Sequence, residues 1–135
     1  AHHRALCKWS CGNLSRMNKI NLYEKLQKID AFWSPGAIGI VNDHLVKLAK
    51  LQGEFVWHQH EHEDEFFMVL EGAFDMHFRD AIVHLEEGDC IVVPKGVEHK
   101  PVAQEAVSIL LFEPISTLNT GDAGGPLTKQ EIPFI

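Results

Sequence analysis

The chain has 135 residues, 45% of them hydrophobic, and a formal net charge of -7, which is material for one hydrophobic core and too little for two. That acidity, with no Lys/Arg cluster anywhere, excludes a nucleic-acid surface. The longest apolar run, Val107 to Phe112, is strand-sized and far short of the ~20 residues a membrane helix needs, so no membrane role is expected.

In chain order, the first sixteen residues carry Arg4, Lys8 and Arg16 and no acid, leaving 9 of the 12 Lys and Arg against all 19 Asp and Glu in the remainder. With Met17 at that border, residues 1–16 read as a disordered leader or expression remnant, and 17–135 as a single domain. The leader has no continuous apolar stretch or small-residue cleavage site of a secretory signal. Its His2, His3, Cys7 and Cys11 lack the supersecondary unit that zinc sites are built on, so no metal is expected there. Nothing in the cysteine usage demands an oxidising compartment, and a cytoplasmic location is expected.

From Asn18 to Phe32 the apolar positions Ile20, Leu22, Tyr23, Leu26, Ile29 and Phe32 repeat at helical spacing, with Asn18 or Asn21 as N-cap and Ser34-Pro35-Gly36 as the stop. Short β-like segments follow at Ala37–Val41, Leu45–Leu51, Phe55–His60, Glu65–Arg79, Ala81–Leu85, Cys90–Val93, His99–Val102 and Val107–Phe112. Asn42-Asp43, Gln52-Gly53, Gly88-Asp89 and Pro94-Lys95-Gly96 punctuate them. Many short, evenly spaced strands imply an all-β antiparallel sandwich or barrel. Cys90, inside a valine-rich strand, is expected to be a small buried hydrophobe. After Glu113 the density of Gly and Pro rules out continuous regular structure, although Gln130–Ile135 has the pattern of an apolar strap over the body.

Two clusters carry the chemistry: His58-x-His60-x4-Glu65-x6-Gly72 and Gly88-x5-Pro94-x-Gly96-x2-His99. In extended backbone alternate side chains share a face, so His58 and His60 can present two imidazoles to one ion. Pro94 presets φ and Gly96 permits the bend that starts the next strand at His99. Imidazoles with one carboxylate suit iron, manganese, nickel, copper or zinc and disfavour calcium and magnesium.

On these residues the chain resembles the cupin superfamily, and specifically small single-domain bacterial cupins of unassigned function that share a leading helix ending in Trp-Ser-Pro, here Trp33-Ser34-Pro35. The resemblance implies a double-stranded β-helix, or jelly-roll barrel, with a short N-terminal helix and a barrel core over about 37–113. It implies one divalent transition metal held by His58, His60, Glu65 and His99. In this chain Gly53 precedes His58 by one residue fewer than the family pattern, and Ala103 stands where Asn often follows the last ligand. The alternative pair His60-x-His62 leaves only two residues before Glu65, so His62 is assigned to solvent; His44, His77 and His84 have no motif support.

With Glu65 facing inward, Phe67 and Val69 share its face, and Val56 and Pro101 join them as apolar pocket wall, the usual form of a small-molecule site. The basic residues nearest that pocket by sequence are Arg79, Lys95 and Lys100. The expected function is therefore small-molecule chemistry at a mononuclear 3-His-1-Glu site, of oxygenase or isomerase/lyase type, with Glu65 as ligand and, if it leaves the metal, as base. The alternative is a non-catalytic small-molecule-binding or structural module. Homodimerisation is expected through the strand edges of Ala37–Leu51.

Overall fold

A computed structural model describes residues 17–135, so the leader with Cys7 and Cys11 lies outside the described residues. Among the described residues one short helix, α1 (Leu22–Leu26), precedes seven strands: β1 (Gly36–Val41), β2 (His44–Glu54), β3 (Glu65–Glu71), β4 (Ala73–Phe78), β5 (Ile82–Glu86), β6 (Cys90–Val93) and β7 (His99–Pro114). Among the described residues no helix is long and apolar enough to cross a membrane.

The helix is much shorter than the periodicity of Asn18–Phe32 suggests. Asn21 is the cap, its side chain accepting from Glu24 N at 3.0 Å, and the bond from Ile29 N to Leu26 O shows the chain tightening past the helix end. Leu26 and Ile29 are buried, but Ile20, Tyr23 and Phe32 are exposed. Burial of one turn therefore decided the helix length, because a helix this short has little stability of its own.

All strand pairings are antiparallel. The principal order is β1-β2-β7-β3-β6, with β4 pairing both β7 and β5. The sequence pattern split β7 in two, yet it runs for sixteen residues without a break. Its first part, His99–Val102, pairs with β4, and its later part pairs with β2 on one side and β3 on the other. Conversely, the run Glu65–Arg79 breaks at Gly72, whose φ of 87° lets the chain pass from β3 to β4. A Cβ at Gly72 would also come within 2.9 Å of Ala106 O. Phe55–His60 forms no strand; it joins the sheet through the bridge between His58 and His99 and the bond from Phe55 N to Pro101 O.

The two layers of this jelly roll close on one core containing Ala49, Leu51, Phe67, Val69, Phe74, Met76, Leu85, Val93, Val107 and Ile109. A second cluster, Leu26, Ile29, Ile38, Leu48 and Leu70, fastens α1 to the outside of the sheet. The tail does form a strap: Ala37 N donates to Pro133 O and Ile135 N to Ala37 O. Because β2 is paired on both sides, β1 is the only part of Ala37–Leu51 at a sheet edge. Cys90 is exposed, contrary to expectation, because β6 turns alternate residues outward and buries Val93.

A buried three-histidine, one-glutamate site

His58, His60, Glu65 and His99 are all buried, and a ligand atom from each lies within 4.8 Å of the others. Backbone bonds assemble them. His58 N donates to His99 O at 3.1 Å and His99 N returns to His58 O at 2.9 Å, so the first and last histidines sit opposite each other. Gly96 N donates to His60 O and Lys95 N to Asp64 Oδ1, tying the turn of the second cluster to the segment carrying His60 and Glu65. His62 is exposed, as its spacing implied.

Two of the imidazoles are oriented by backbone carbonyls. His58 Nδ1 lies 2.9 Å from Val56 O and His99 Nδ1 lies 2.9 Å from Val97 O. A carbonyl only accepts, so each Nδ1 carries a proton and each ring turns its Nε2 inward. His99 Nε2 is 3.1 Å and His60 Nε2 2.8 Å from Glu65 Oε1. The His60 approach lacks hydrogen-bond geometry, and both nitrogens of that buried ring are left without a hydrogen-bond partner. Burial, with repulsion from His99, pushes the His58 imidazole down to about 4 against the pull of its Val56 bond. Polar atoms converging in an apolar interior are costly where they lack a partner, as both nitrogens of His60 do. A cation relieves that cost, so the donor set fits a divalent transition metal.

Sequence reasoning missed Lys47 and Glu113. Both are buried and in direct contact as an ion pair. Burial raises the Glu65 carboxyl, but the close approach of Glu113, His60 and His99 outweighs it and holds the group well below the usual range. Burial and the Glu65 charge hold Glu113 well above that range despite the attraction of Lys47. Lys47, Glu113, Glu65 and His99 thus form one polar chain across β2, β7 and β3. Parity was the available signal, since Lys47 shares its strand face with Leu45, Ala49 and Leu51, all buried.

A cavity of about 50 Å³ opens beside these groups, lined by Lys47, Glu113, Glu65 and His58 and walled by apolar side chains that include Trp33, Phe55, Phe67, Pro101 and Leu111. Phe67 and Pro101 stand as expected. Val69 packs in the core instead, and Val56 contributes only its carbonyl to His58. Trp33, at a φ of 58°, stacks on Phe55 at 4.7 Å and donates from its indole to Gln52 O. The basic residue of this pocket is Lys47, whereas Arg79 and Lys100 lie against Trp57.

The Cupin_2 family model, described as Cupin domain, matches residues 44–112, more than half of the chain and both ligand clusters. The chain belongs to the cupin family. Among solved cupins it is similar to a cupin-2 domain containing protein from Shewanella frigidimarina, with 46% identity and a TM-score of 0.70 over 70% of this chain and 93% of that one. Protein NMB1881 from Neisseria meningitidis is 33% identical with a TM-score of 0.67 over 72% of this cupin and 99% of that chain. The uncharacterized protein YdbB of Bacillus subtilis (strain 168) is 43% identical over 65 residues, which span 47% of this cupin and 58% of that relative.

Proposed function

We propose that this cupin binds one divalent transition metal through His58, His60, Glu65 and His99 and acts on a small molecule in the adjoining cavity, as an oxygenase or an isomerase/lyase. The carrying observation is the convergence of inward-facing imidazole nitrogens and a carboxylate oxygen within 4.8 Å, with His60 otherwise unpartnered. Four protein ligands in an octahedral preference leave two positions for substrate, water or dioxygen. Such a metal would supply Lewis-acid polarisation of a carbonyl, or redox chemistry if it is iron or copper.

The chain's own residues have separable roles in this reading. His58 and His99 are oriented by Val56 O and Val97 O. Glu65 is buried and held by His99 Nε2 at 3.1 Å, which supports ligation over a role as mobile base. Phe55, Phe67 and Leu111 exclude water from the reacting end of the cavity. A module that merely stabilises the fold is disfavoured, because the cluster borders a cavity instead of being packed over. Homodimerisation through β1 belongs to the same proposal, and sedimentation showing only monomer would remove it.

The test is elemental mass spectrometry of protein purified without chelator or nickel affinity, beside a His58→Ala/His60→Ala variant. Near-stoichiometric iron, manganese, nickel, copper or zinc in the parent, absent from the variant, is expected. Folded parent protein that takes up none of these metals would overturn the reading.

A further inference from the structure

We infer that Lys47 is the anion-recognition residue of this cavity, and that the molecule bound beside the metal is a small carboxylate with a short apolar chain. The inference rests on the proposed metal centre and specifies what lies next to it.

Position comes first. Lys47 is 2% exposed and lines the cavity with Glu65 and His58. An ammonium in such a place carries a large desolvation cost, and a hydrophobic residue of similar size would fill the β2 face at no such cost. Its contact with Glu113 offsets part of that cost. Glu113, however, also faces the ligand Glu65, so its capacity is shared between two partners. The three donors of an ammonium therefore have room for a further oxygen from the cavity side.

Charge points the same way. With neutral imidazoles, a divalent ion outweighs the single negative charge of Glu65, and the pair of Lys47 and Glu113 adds nothing negative to this sum. The occupied site is therefore positive overall. Enclosed in apolar walls, that excess favours an anionic ligand. Size and wall chemistry narrow the class: one water needs ~10–15 Å³ on this measure, so 50 Å³ admits roughly four waters, or the inner end of a small molecule. The wall of Trp33, Phe55, Phe67 and Leu111 offers the hydroxyls of a sugar phosphate no polar partners. A short-chain carboxylate matches the volume, the wall and the charge.

The experiment titrates isobutyrate, and its uncharged isostere isobutyramide, into the zinc-loaded full chain by isothermal calorimetry, with metal content measured on the same samples. Removing both partners, as in Lys47→Met/Glu113→Leu, avoids leaving a buried charge unpaired, and Lys47→Arg keeps the cation. Isobutyrate should bind the parent and Lys47→Arg, and isobutyramide should bind far more weakly. Compared at equal zinc content, the double variant should lose roughly 10- to 100-fold in isobutyrate affinity, the worth of one hydrogen bond to a charged group. Equal affinities in parent and double variant, or no isobutyrate binding by zinc-loaded parent, would overturn the inference and leave the metal centre standing. Failure of the parent to load zinc or any other divalent transition metal would instead overturn the metal centre, and the inference with it. Should the double variant not fold, line-broadening of the isobutyrate methyl resonances by parent against Lys47→Gln decides the question in the same directions.

Discussion

Gly121 lies against the carbonyl of Gln59 so closely that a β-carbon on it would come within 2.1 Å of that oxygen and 3.2 Å of His58 Cδ2. Gln59 N donates to Asp122 Oδ1 and Asp122 N returns to Gln59 O. A loop well outside both ligand clusters thus clamps the irregular segment that carries His58 and His60. Gly121→Ala should cost ~1–3 kcal/mol through overpacking and weaken metal retention. Gly124→Ala is the matched control, because Gly124 also has a positive φ but no atom within 4 Å. Urea midpoints of the two variants separate clash from backbone strain; equal losses would mean that the contact with Gln59 is unimportant.

Acid should weaken the site through His58. Its folded value of about 4 lies below the ordinary 6.5, so the unfolded chain binds more protons between those values. The stability linked to this neutral imidazole is full above the unfolded value, declines as pH falls, and is gone below the folded one. The difference in unfolding free energy between metal-free parent and His58→Gln should shrink by up to roughly 3 kcal/mol across that window. Bound metal should dissociate over the same range, since only neutral imidazole ligates. A difference that stays flat with pH would refute this account.

The Lys47–Glu113 pair predicts strong non-additivity. Either single change, Lys47→Met or Glu113→Leu, leaves its partner buried, and the one that strands Lys47 should cost ~3–5 kcal/mol. The double change should cost much less than the two singles together. Denaturant unfolding of all four proteins gives the coupling directly, and additive losses would show that the two side chains are energetically independent.

Cys90 is exposed on β6, so maleimide should label it in the native protein without unfolding. Peptide mapping assigns the label to Cys90 apart from Cys7 and Cys11, and protection until denaturant is added would contradict its placement.

Alternation made much of this legible in the sequence. Glu65, Phe67 and Val69 are buried together, and Cys90–Val93 forms the strand its composition suggests. What escaped was set by partners distant in sequence. The polar stretch Gln104-Glu105-Ala106 resembles a turn, yet β7 runs through it. Nothing local distinguishes Gly72, where the chain changes layers, from a glycine within a strand. Charges at Lys47 and Glu113 on otherwise apolar faces were visible, but only the pairing of β2 with β7 explains why both can be buried. The clamp by Gly121 and Asp122 had no periodic signal at all.

Strand β7 brings His99 at its beginning and Glu113 near its end while joining both layers. During synthesis, a chain extended only through Pro94 already holds three of the four site residues but has nothing to join them to. The buried cluster is thereby completed only in chains in which the last strand has been made and paired. A ribosome-bound fragment that stops short of it exposes those histidines without the cavity beside them.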